Sequence, residues 1–154
     1  EDLMKEIVDT IIPETDIPGA NSLEVHNFVW VMADDCMESA DQQKFMKGLS
    51  DMNRMLAHDR DMEFAEIEPA DRAGILDYIM KIDESYDVPV NDDGTKEFNP
   101  DAIKYSLARI KGYTIQGFMQ SQYVMQNIMP YELVPGPASG CVDVDPGKRV
   151  NIYG

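Results

Sequence analysis

The chain has 154 residues, with 29 Asp and Glu against 13 Lys and Arg, a net charge of −16 and a pI of about 4.2. That length predicts one main domain large enough to bury a core, and the acidity excludes nucleic acid and disfavours an anionic membrane surface, because both need clustered Lys and Arg. No apolar run approaches the roughly 20 residues of a transmembrane span, and the two cysteines, Cys36 and Cys141, are too few for a disulfide scaffold.

Residues 1–12 read as an amphipathic helix. Leu3, Ile7 and Ile11 recur at i, i+4 and i+8, with Met4, Val8 and Ile12 beside them. Pro13 stops the pattern. The chain opens directly on this amphipathic pattern, as expected where a targeting segment has been removed, so the compartment is not read from this end. The next stretch is Ile11-Ile12-Pro13-Glu14-Thr15-Asp16-Ile17-Pro18-Gly19-Ala20-Asn21. Pro13 and Pro18 fix their own φ and press Ile12 and Ile17 towards extended backbone. Gly19 is free to take positive φ. A stiff, kinked loop presenting Glu14, Thr15 and Asp16 is expected, and a plain connector that closes the core is the alternative.

Asn21-Ser22-Leu23-Glu24 has the form of a capping box, with Asn21 as N-cap. The helix after it places Val25, Phe28, Val29, Met32 and Cys36 on one face, and Trp30 and Val31 add apolar surface elsewhere. Cys36 is expected as a small buried hydrophobe. Asp41 is positioned to cap a third helix running to about His58, with a stripe of Phe45, Leu49, Met52 and Leu56. Phe64 and Ile67 then pack, and Pro69 suits the first position of a fourth helix faced by Ile75, Leu76, Ile79 and Ile82. Most of the eleven methionines are expected as core filler.

Segment 83–99 breaks the helical period. Asp93-Gly94 is a tight-turn signal between Val88-Pro89-Val90 and Thr95-Lys96-Glu97-Phe98, so a short ribbon or ordered loop is expected near 87–98. Its acids raise the question of a cation. An EF-hand register with Gly94 at position six puts Pro89 and Pro100 at the first and twelfth positions, where neither can ligate. Asn99-Pro100 opens a fifth helix with a stripe of Ile103, Leu107 and Ile110. Beyond Gly112 the pattern resumes with Tyr113, Ile115, Phe118 and Met119 to about Ile128, as one long helix or two.

From Pro130 the many prolines and glycines exclude a helix, yet Tyr131, Leu133, Val134, Val142, Val144, Ile152 and Tyr153 are too apolar for a disordered end. The expected fold is therefore all-α: an irregular helical bundle of five to six helices in 1–129, with an extended tail, 130–154, packed on the domain or on a partner.

Chemistry is sparse. A di-iron bundle needs Glu-x-x-His, but Leu23 and Met55 stand three residues before the two histidines, His26 and His58. Closely spaced Cys and His, a Gly-rich nucleotide loop and a nucleophile elbow are all missing. His26 and Cys36 lie ten residues apart on one helix, about 15 Å, too far to act together. No catalytic, cofactor-binding or metal-binding residue is assigned. Cys141 sits among Gly, Ser and Pro and is open to three states: free, bridged to Cys36, or bridged to a partner chain.

The combination of segments resembles the gluconate 2-dehydrogenase subunit 3 family. The matching pieces are Asp9-Thr10-Ile11-Ile12-Pro13-Glu14-Thr15-Asp16, then Pro18-Gly19-Ala20 and Val25-His26-Asn27-Phe28. Phe45-x-x-Gly48-Leu49, Gly112-Tyr113-Thr114 through Gly117-Phe118-Met119-Gln120-Ser121, Pro135-Gly136 and Gly140-Cys141 are compatible with it. Segment 83–99 looks like an insertion, and Gln122 stands where an acid is expected. The resemblance implies a non-catalytic small subunit of a periplasmic FAD-dependent sugar or sugar-acid dehydrogenase, concerned with maturation and export. It implies no cofactor in this chain and FAD in a large partner of the glucose–methanol–choline (GMC) oxidoreductase type, with a cytochrome c subunit as a further expected partner. Precursors of the family typically carry a twin-arginine signal. Pro13, Glu14, Thr15, Asp16, Pro18, Gly19 and Cys141 are then the candidate partner-docking residues. The alternative is a free-standing helical binding protein for a small ligand or cation, using Glu14, Asp16 and Asn91-Asp92-Asp93.

Overall fold

Five apolar stripes become five α-helices in the computed structural model, which describes residues 2–83 and 85–129. They are α1 (Asp2–Ile11), α2 (Val25–Asp35), α3 (Ser39–Arg60), α4 (Pro69–Lys81) and α5 (Pro100–Met119). A 3₁₀ turn, Phe64–Glu66, precedes α4, and a π-helical turn, Val124–Ile128, follows α5. The tail expected at 130–154, with Cys141, lies outside the described residues.

The bundle is built on α3 and α5, the most extensively packed pair, with α2 and, less extensively, α1 and α4 also packed against α5. Phe45, Leu49, Met52 and Leu56 of α3 are all buried, as their spacing predicts, and so are Ile103, Leu107 and Ile110 of α5. Gly48 lets the two helices approach closely, since a Cβ there would lie 2.1 Å from the Ala102 carbonyl oxygen. Asp51, 1% exposed, accepts from Lys47 Nζ at 2.7 Å and from the Asn99 backbone N–H at 2.9 Å. It fastens the start of α5 to the middle of α3.

Local signals hold at several helix ends. The Asn99 side chain accepts from the Asp101 and Ala102 N–H groups, and Pro100 and Pro69 sit in first turns. The expected ribbon is reduced to one antiparallel bridge, Val90 with Lys96, closed over Gly94 at φ 82°. Gly112 does not break α5, which runs unbroken to Met119 before the chain re-forms as the π turn.

Other expectations are corrected. Asn21 does not cap α2. Residues 20–24 form a turn in which Glu24 N–H bonds Asn21 O at 3.0 Å and Val25 N–H bonds Ala20 O at 2.9 Å. Glu24, at φ 55°, then starts the helix without a side-chain cap. Asp41 does not cap α3 either. The helix begins two residues earlier, and Asp41 lies in its first turn, where a carboxylate suits the positive end. Cys36 is exposed rather than buried, because α2 ends at Asp35 and the Cys36 N–H only closes its last turn on Met32 O. Met4, Met52 and Met55 fill the core, but Met46, Met62, Met80 and Met119 are exposed. These last four fall off the buried stripes, so methionine here is as much surface as filler.

Candidate functional site in the loop after α1

α1 runs into the loop through one more turn: Ile12 N–H bonds Val8 O at 3.0 Å. Pro13 then has no N–H to give, and the helix ends. The chain doubles back at once. Ala20 N–H returns to Ile12 O at 2.9 Å, and Thr15 N–H bonds Ile17 O at 3.1 Å. Ile12 and Ile17 are half-buried against the core, and Ala20 is fully buried.

Gly19 is what permits this closure. A Cβ on it would stand 2.6 Å from Glu14 N and 2.8 Å from Pro13 C. The positive φ open to Gly19 is not used: Gly94 is the only glycine at positive φ among the described residues. Gly19 is needed for close backbone approach, not for an unusual φ.

Pro13, Glu14, Thr15 and Asp16 are exposed, and Pro18 is half-buried. The displayed acids are therefore where the prolines predict them. Glu14 is held by the Ser22 hydroxyl, which donates to its Oε2. Ser22 thus ties the end of the loop back to its displayed acid. Cys141, the remaining candidate, lies outside the described residues.

The base of the loop is acidic as well. Asp9 of α1 is held above the usual carboxylate range, first by partial burial and then by Glu6, with Arg72 opposing and Glu14 adding to the rise. Arg72 of α4 is buried. It donates from Nε to Ile67 O at 2.8 Å, from Nη2 to Ala65 O at 3.0 Å, and from Nη1 to Glu6. Its guanidinium also lies over the Phe64 ring, 5.8 Å from the centroid. One side chain thereby joins α4, the 3₁₀ turn and α1, and it holds the helix from which the loop departs. The spacing of 66 residues between Glu6 and Arg72 leaves no trace in local sequence patterns.

In the 91–95 turn, Asp93 is committed to its own backbone and side-chain neighbours, accepting from Thr95 N–H at 2.9 Å and Thr95 Oγ1 at 2.6 Å. Those bonds hold its carboxyl below the usual range. No group of three or more His, Cys, Asp or Glu placed to hold a metal ion occurs among the described residues. No described helix is long and apolar enough to cross a membrane.

Fold and loop together define an irregular all-α bundle that displays a tightly folded acidic loop at the end of its first helix. The family model for gluconate 2-dehydrogenase subunit 3 matches residues 1–136. The chain belongs to that family. No curated protein and no solved structure matches it.

Proposed function

We propose that this chain is the small, non-catalytic subunit of a multi-subunit dehydrogenase, working beside a large FAD-containing GMC-type flavoprotein that oxidises a sugar or sugar acid in the periplasm. A cytochrome c subunit is a further partner in this reading. The observation that carries it is the family match across residues 1–136. The loop supports it. Its conformation is set by Pro13, Pro18 and the Gly19 approach, so little conformational entropy is lost on docking. Glu14, Thr15 and Asp16 face outward as contacts. The chain contributes surface and maturation, and the flavin and its chemistry belong to the partner.

The test is co-expression of the flavoprotein with and without this chain, followed by pull-down and by dye-linked dehydrogenase activity in the exported fraction. A stable complex is expected, with exported activity lost when this chain is left out. A flavoprotein that folds, is exported and works equally well alone would overturn the reading.

A further inference from the structure

Trp30 is the single tryptophan of the chain. It meets Phe45 edge-on, with ring centroids 6.2 Å apart and planes at 87°. The pair helps line an open groove of about 410 Å³ between α2 and α3. Val31 and Met46 line it too, and each is 53% exposed. Asp34 and Asp35 also line it, with no Lys or Arg in the lining. The walls are tied together, because Gln42 Nε2 of α3 donates to the Asp34 carbonyl of α2 at 2.5 Å. No residue of the 13–19 loop contributes.

We infer that this groove receives an apolar side chain of the large dehydrogenase subunit, flanked there by Lys or Arg. The inference rests on the function proposed above and adds a second contact to the loop. Val31 and Met46 are exposed on one groove beside half-buried Trp30, unlike the isolated surface hydrophobes that need no explanation. Methionine adapts to an incoming side chain. Two carboxylates beside an indole suit a cationic head on an aliphatic stem. The same charge decides against a second copy of this chain. At a net charge of −16, self-association brings like charges together.

The single tryptophan makes the test direct. The small subunit is labelled with 5-fluorotryptophan, giving one ¹⁹F resonance at the groove, and is mixed with unlabelled large subunit. The resonance is expected to shift on complex formation. The double variant Val31→Asp/Met46→Asp is expected to weaken the complex by tenfold or more, as for interface anchors, with its circular dichroism unchanged. Asp34→Asn/Asp35→Asn is expected to weaken it a few-fold and flatten its salt dependence. A wild-type complex with an unmoved resonance, or groove variants that assemble as well as wild type, overturns the groove and leaves the proposed function standing. Wild-type chain that forms no complex overturns both. A shift that follows the concentration of this chain alone assigns the groove to a second copy. A shift produced by removing residues 130–154, without the partner, assigns it to the chain's own tail. Either result also overturns the inference.

Discussion

Gly48 of α3 faces Ser106 of α5 so closely that a methyl group on the glycine would stand 2.1 Å from the serine Oγ. The hydroxyl itself lies 2.8 Å from Phe45 O and 2.9 Å from Ala102 O. The space is therefore filled by a backbone contact and a buried hydrogen bond, and neither can give way. Gly48→Ala should destabilise the fold by roughly 1–3 kcal/mol, although alanine is the better helix former by about 1 kcal/mol. Gly112→Ala is the control. Nothing stands near that position, so the substitution should stabilise by about 0.5–1 kcal/mol. Urea unfolding of both variants checks the pair.

The loop after α1 separates contact from scaffold. Glu14→Ala/Asp16→Ala removes two exposed carboxylates and one bond to Ser22. It should move the stability of the isolated chain by no more than about 0.5 kcal/mol while weakening assembly with the flavoprotein. Gly19→Ala drives a methyl into the Pro13–Glu14 peptide and should cost about 1–3 kcal/mol. Melting curves beside pull-downs distinguish the two. A large fall in melting temperature for the carboxylate variant would make the loop purely structural.

Arg72 is the buried tie between α4 and α1. Arg72→Ala leaves the Ile67 and Ala65 carbonyls without their donor and Glu6 without its partner. A loss of roughly 3 kcal/mol is expected, in the range for stranded buried polar groups. Arg72→Lys should recover little of it, since an ammonium cannot reproduce the planar fork. Chemical denaturation of both variants measures this.

Asp9 gives a pH signature. Burial, Glu6 and Glu14 outweigh Arg72 and hold its carboxyl above its ordinary value of 3.8. The folded state then binds this proton more tightly than the unfolded chain. The fold loses stability as pH rises from the unfolded pKa through the folded one. Asp9→Asn removes that loss. The variant should melt above wild type at pH 7, with the gain disappearing below pH 3.8. A difference that stays constant across that window would point to another cause.

What was legible in the sequence was whatever a local period or a local bond decides. The Phe45, Leu49, Met52, Leu56 stripe is buried as its spacing demands, and Asn99 caps because its acceptor needs only the next three residues. The exposure of Glu14, Thr15 and Asp16 followed from the two prolines. What failed depended on how the chain turns in space. Asn21 was expected to cap α2, but the 20–24 turn, closed by Val25 N–H on Ala20 O, carries the helix start past it. Gly19 is fixed by the backbone of Pro13 and Glu14 meeting it. Cys36 continued the apolar spacing of α2, but the helix ended one residue too soon to bury it. Met46 is adjacent in sequence to buried Phe45 and is itself exposed.

The partnership of α3 with α5 also sets a clock on synthesis. Nearly forty residues separate the end of α3 from the start of α5. At about 5–20 residues per second, the ribosome leaves Phe45, Met52 and Leu56 without their mates for several seconds. The core cannot close until Phe118 has emerged. A message cut short before α5 would yield a chain with an open apolar seam, a substrate for chaperones and proteases rather than a smaller working subunit.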